Sequence, residues 1–399
     1  MDVNLSDILR AHNTCATDYY DAIHERSGSP HMFWDSILNA WVVTGYEECT
    51  NLLTGGDLER ARLSLPLSIA PRDIIEAINS IFGAQTMFND GVEAKSRRRF
   101  WAQFLQAESR MHATLNAAGP DVAAIAATCL DECPDNRDIE LFGELLQPYV
   151  SRVVCTRLGL DEADRLVLYP MILCYARFLD GKVTNGEEVA NALRAIVAMF
   201  AVAKVPPCIA EHHALYGDCH ALLSDYIMAI AAGHDSTAYL LGNALIYLHS
   251  TRDHGYGDAT DASIMQRIVK EATRFDSPVQ LIGRRACSDI TLNGKVIRTG
   301  EKVFLHIGAA NRDPRVFELP GVFDPNRHGP AHLAFGTGES RCPGMGLSTD
   351  EAVTFLTALV TRGMRVSIDE ARIRWDHGLA GRGFRSLPAQ VCIASHATR

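Results

Sequence analysis

Cys342 lies in the stretch HLAFGTGESRCPGMG (332–346), framed by Gly336, Gly338, Gly344 and Gly346 and followed by Pro343. Glycine admits backbone angles and close approaches that a Cβ forbids. Proline suits the first position of a helix, where its missing N–H is no loss. The pattern predicts a tight loop that presents a thiol at a helix start, where the dipole and free N–H groups favour the thiolate. A catalytic thiol needs a base, and no local signature places a histidine for it. The plain alternative is a buried cysteine beside a turn. GTGESR opens like a dinucleotide fingerprint, but its sixth position is Arg341 and no regular βαβ alternation surrounds it, so that reading is rejected.

Two other stretches carry chemistry. Glu271 and Arg274 in KEATR stand one helical turn apart; alone, such a pair is commonplace and contributes a few tenths of a kcal/mol at a surface. AAGHDST places Asp235, Ser236 and Thr237 inside a proline-free run, where Gly, Asp and Ser could simply kink a helix. Lys95, Arg97, Arg98 and Arg99 form a basic run, and such runs are usually a solvated face. Eleven cysteines, an odd number with scattered spacing, do not suggest a disulfide scaffold. Cys129 and Cys133 lack a second ligand pair at zinc spacing, and no C-x-x-C-H is present for covalent haem attachment.

The elements that must position these residues are mostly helical. Helix-like spacing runs over residues 8–26, 72–85, 93–108, 120–131, 139–158, 161–179, 186–203 and 209–250. Strand signals are confined to AWVVTGY, to VQLIGRRACSDITLNGKVIRTGEKVFLHIG with Asn293-Gly294 as a hairpin turn, and to the tail GRGFRSLPAQVCIA. The expectation is a mainly α body with small β-sheets, in a single domain over 1–399. At 47% hydrophobic and 22% charged the chain is a folded protein, and a net charge of −10 argues against nucleic acid. No apolar run approaches a membrane span and the N-terminus lacks signal-peptide character, which predicts a cytoplasmic protein without a membrane anchor.

Phe335, Gly336, Gly338, Cys342 and Gly344 together form F-G-x-G-x-x-x-C-x-G, which resembles the haem-binding signature of the cytochrome P-450 superfamily. EATRFDSPVQLIGRRA and AANRDPRVFELPGVFDPNRH resemble that family's E-x-x-R helix and the meander after it, and AAGHDST resembles its distal-helix motif. The resemblance implies haem b between the long distal helix and the cysteine loop, with Cys342 as the axial ligand of iron. A thiolate there pushes electron density onto iron and favours O–O cleavage. It implies that Glu271, Arg274 and Arg327 are structural. Arg98, Arg284 and His332 would contact the propionates, Phe335, Gly336 and Gly344 would shape the loop, and Ala232 and Gly233 would leave space for O2. Asp235 would supply protons, with Ser236, or alternatively Thr237, as the distal alcohol. Two usual propionate contacts are missing, since Ala94 and Ser340 stand where His, or His or Arg, is customary.

The implied activity is that of a soluble bacterial monooxygenase oxidising a small organic molecule in secondary metabolism. O2 is activated with electrons from a separate ferredoxin and ferredoxin reductase, since no flavin or nicotinamide unit is legible. The basic run and Arg341 would steer an acidic ferredoxin. The alternatives are an atypical oxidation on the same haem (coupling, desaturation, nitration or peroxide-driven chemistry) and a non-catalytic haem-binding protein.

Overall fold

The computed structural model describes residues 4–11, 16–29, 31–61, 70–113, 121–133, 137–182, 185–217, 219–250 and 261–393. Its axis is the helix Cys219–Ser250, 32 residues long and so ~48 Å at about 1.5 Å per residue. Apolar side chains cover nearly its whole circumference, as expected of a helix that runs through a core rather than over it. Around it pack the helices Arg72–Ala84, Gln147–Arg157, Glu162–Leu179, Ala262–Phe275 and Met345–Thr361. This last helix, which begins just after Cys342, also packs against Val92–Ala113.

The main sheet has five strands in the order Met32–Asp35, Ala40–Val43, Lys302–His306, Leu281–Ala286 and Leu58–Arg60. All neighbours are antiparallel except Ala40–Val43 beside Lys302–His306. A second apolar cluster lies under this sheet. The predicted hairpin is present: Ile290–Leu292 pairs with Lys295–Ile297, and Asn293 and Gly294 have φ of +47° and +80°.

Three helical spans differ from expectation. Residues 209–250 are not continuous, because the short pieces Pro207–Ala210 and His213–Leu215 precede Gly217, whose φ is +73°. Residues 8–26 hold two helices, Leu5–Ala11 and Ala16–Ser27. The 139–158 span opens as a strand, Arg137–Glu140, because it pairs with the distant strand Pro388–Ile393. A π-helical turn over Phe142–Leu146 then leads into Gln147–Arg157. Tertiary pairing overrides local spacing there.

Candidate active site

The cysteine loop closes on itself. Cys342 N–H donates to Phe335 O at 2.7 Å, and Gly336 N–H donates to Leu333 O at 2.7 Å. Gly336 has φ +67°, and a Cβ on it would stand 2.7 Å from Ser340 O, so no other residue fits. Gly344 caps the helix Met345–Thr361, and a Cβ there would adjoin Cys342 Sγ at 3.9 Å. The amides of Gly344 and Met345 hydrogen-bond the sulfur. Cys342 is accessible to solvent. Desolvation by the surrounding protein pushes its thiol up from the ordinary range, and the two amides oppose the shift. Phe335 is half-buried beside His332, with ring centroids 5.9 Å apart.

Arginines gather next to this loop. Buried Arg284 donates from Nη2 to Ser340 Oγ at 3.2 Å and from Nη1 to Gly283 O at 2.8 Å. Arg98 donates to Thr86 O at 3.0 Å and Asn89 O at 2.8 Å, and lies 3.7 Å from Asp90. Arg60, which motif reasoning missed, is the third member. It pairs directly opposite Arg284 in the sheet and lies 3.5 Å from Asp90. Burial, with repulsion from Arg98 and Arg284, lowers the Arg60 guanidinium to about 10. The only available signal was the adjacent Glu59-Arg60, too ordinary to single out.

His332 makes no hydrogen bond to these arginines among the described contacts. It sits beside Lys270, Glu271 and Arg274, its Nδ1 lacks a hydrogen-bond partner, and burial lowers its imidazole to about 4, with the two cations adding to the shift. That orphaned Nδ1 is a buried donor or acceptor with nothing of the protein to bind. The expected basic face is corrected. Arg97 turns inward to Ala84 O and toward Asp225 and Tyr216, and Lys95 is paired with Glu339 at 2.7 Å. Arg99 and Arg341 remain exposed, and Ala94 is buried.

On the long helix, Ala229, Ala232, Gly233 and Ser236 are the accessible residues of an otherwise buried middle. They recur at i, i+3, i+4 and i+7, one face of the helix. Ser236 Oγ donates to Ala232 O at 2.9 Å. Asp235 and Thr237 are buried and turn elsewhere, because successive residues lie ~100° apart around a helix. Asp235 is thus not joined to Ser236. Its Oδ1 contacts His234 Nδ1 at 2.8 Å and accepts from Gln147 Nε2 at 3.1 Å, while Oδ2 accepts from Tyr239 O–H at 3.1 Å. Lys182 Nζ donates to the Tyr239 oxygen and lies 3.2 Å from Asp180. Burial raises the Asp235 carboxyl, but His234, Lys182 and Gln147 outweigh it and hold it below the usual carboxylate range. The sequence signal for part of this network was the i,i+4 spacing of Asp235 and Tyr239; Gln147 and Lys182 offered none.

Glu271 and Arg274 form a buried bidentate pair at 2.7 and 2.9 Å, and Arg327 Nε donates to the same carboxylate at 3.0 Å. Arg274 reaches Asn311 O and Pro320 O, tying its helix to the meander before the cysteine loop.

These residues fit a haem. Among the described residues, no group of three or more His, Cys, Asp or Glu is arranged to hold a metal ion. A cluster of three arginines suits the acidic edge of a haem, and Ala232 and Gly233 leave a small-residue surface on the long helix.

A family model of cytochrome P450 matches residues 229–374. The biotin biosynthesis cytochrome P450 of Bacillus subtilis (strain 168) is 25% identical over 369 residues, spanning 87% of this chain and 89% of that protein. The 6-deoxyerythronolide B hydroxylase of Saccharopolyspora erythraea is 26% identical over 384 residues, spanning 88% and 90%. The solved structure of P450BioI in complex with hexadec-9Z-enoic acid ligated acyl carrier protein superposes with a TM-score of 0.79 at 22% identity, covering 96% of this chain and 99% of that one. The architecture is that of a haem-iron monooxygenase. The chain belongs to the cytochrome P450 superfamily, in its bacterial branch. Among the described residues, no helix is long and apolar enough to cross a membrane.

Proposed function

We propose that this chain is a haem b monooxygenase of bacterial secondary metabolism, hydroxylating a small organic molecule with electrons from a separate ferredoxin and ferredoxin reductase. The observation that carries this reading is the Cys342 thiol, accessible to solvent and held by two amides at a helix start. One relative is itself named a hydroxylase, which supports hydroxylation here. When bound, the haem supplies reductive activation of O2 at its iron.

The chain's own residues do the rest. Cys342 would be the protein's ligand to the iron, and the Gly344 and Met345 amides would disperse the thiolate's negative charge. Arg98 and Arg284 fix the acidic edge of the ring. Ala232 and Gly233 keep side chains away from the reacting face. Ser236 Oγ, released from Ala232 O, holds a proton donor there. Asp235, which contacts His234 Nδ1 and accepts from the Tyr239 hydroxyl, relays protons toward Ser236 only after turning from these buried partners. Exposed Arg99 and Arg341 are the cations left to meet an acidic ferredoxin.

The reduced carbon-monoxide complex tests this reading. A strongly red-shifted Soret band is expected, and it should vanish in Cys342→His. An unchanged band in that variant overturns the ligand assignment. Pyridine haemochrome spectra should report protohaem. A substrate-induced spin shift followed by NADPH-driven product formation with a surrogate ferredoxin and reductase completes the assignment.

A further inference from the structure

Arg60 and Arg284 are directly opposed across an antiparallel strand pair. Like charges in that position repel and destabilise the pair. The outer face of the same pair carries the opposite arrangement, Glu59 against Arg285. Two arginines are therefore set together on the inner face while charges are balanced on the outer one.

Little on the inner face compensates them. Arg60, Arg98 and Arg284 are largely shielded from water, and guanidinium groups do not shed their charge at neutral pH. The carboxylate in reach of Arg60 and Arg98 is Asp90, at 3.5 and 3.7 Å. Glu339, the other acid nearby, is engaged by Lys95 at 2.7 Å. Three cations against one carboxylate leave two positive charges uncompensated, the charge carried by the two propionates of haem b. The cluster is also fastened to the cysteine loop through Arg284 and Ser340.

We propose that Arg60 is a third propionate anchor, standing in for the contacts that Ala94 and Ser340 do not make. Ala94 is buried and has no polar group to offer; Ser340 brings a short, uncharged hydroxyl whose oxygen accepts from Arg284. Arg60 enters from the sheet side instead. The proposal rests on the haem b reading.

The test is haem transfer from the holoprotein to excess apomyoglobin, followed optically, for the wild type, Arg60→Gln and Arg60→Lys. Arg60→Gln should lose haem about tenfold faster, as expected when a charge-assisted hydrogen bond is removed. Arg60→Lys, which keeps the charge and folds with the least disturbance, should fall between the two. Each protein is also reconstituted with haem dimethyl ester, whose propionates carry no charge; there the wild type and Arg60→Gln should release haem at equal rates. Equal rates with ordinary haem, or a difference that persists with the ester, would overturn the proposal, the second by making Arg60 a strand residue only. Failure of the haem b reading shows separately, as a pyridine haemochrome spectrum other than that of protohaem.

Discussion

Glu271 and Asp235 are both buried carboxylates on helices, each at the centre of a polar network, and the networks are made of different materials. Glu271 is held by two arginines and by the Asp324 amide. The remaining guanidinium donors go to main-chain carbonyls of Asn311, Pro320, Val322, Glu318 and Leu319. Arginine neither accepts nor releases a proton under physiological conditions, so this network can lock segments together and do nothing else. Asp235 is held by histidine, tyrosine and glutamine, with a lysine behind the tyrosine. Three of those four side chains can exchange protons. His234 Nε2 has no hydrogen-bond partner. A saturated arginine network thus serves the proximal architecture, and an exchangeable one lies beneath the accessible face of the long helix. What distinguishes the roles of two buried acids is the chemistry of their donors rather than their burial.

The largest effect should come from Glu271→Ala. Removing one partner of a buried pair costs ~3–5 kcal/mol, and little soluble haem-loaded protein is expected, read from yield and the carbon-monoxide spectrum. A well-loaded, normally stable variant would break the contrast. Asp235→Asn should leave haem content intact while lowering turnover by about 10²-fold, the scale of a lost proton relay, with an altered solvent isotope effect. Normal turnover would place Asp235 with Glu271 among the structural acids. Ser236→Ala should raise peroxide release per electron consumed, whereas Thr237→Ala, buried away from the accessible face, should not. The reverse result would move the working alcohol to Thr237.

The smallest effect concerns pH. Burial, reinforced by the Asp235 charge and opposed by Lys182, raises the Asp180 carboxyl to about 6. Its unfolded value is about 3.9, so the folded state favours the protonated form. The stability this group contributes is present below about pH 4 and is lost as pH rises through about 6. Asp180→Asn should flatten that part of the stability profile measured by denaturant titration. Parallel profiles for the two proteins would show that Asp180 does not titrate within the network.

Legibility followed locality. The glycine frame of Cys342, the Glu271–Arg274 turn and the Asn293-Gly294 hairpin are short-range devices, and their residue types prescribe the backbone they need. The class of the protein was readable from them. Other features were not. Arg60 meets Arg284 only because two distant strands pair. His332 is shifted by burial and by Lys270 and Arg274, charges from a helix distant in sequence. Arg97 turns inward to a carbonyl and an acid contributed by other helices.

The sequence by itself determined where the chain must turn, which thiol it presents and which helices could run through a core, since each depends on residues within a turn or two of one another. Only the tertiary structure decided which charged groups share a space. Asp235 and Ser236 are neighbours in the chain, yet the helix turns one into a buried network and the other to an accessible face. Electrostatic partnership depends on distances through space, and packing sets those distances between segments that carry no mark of one another.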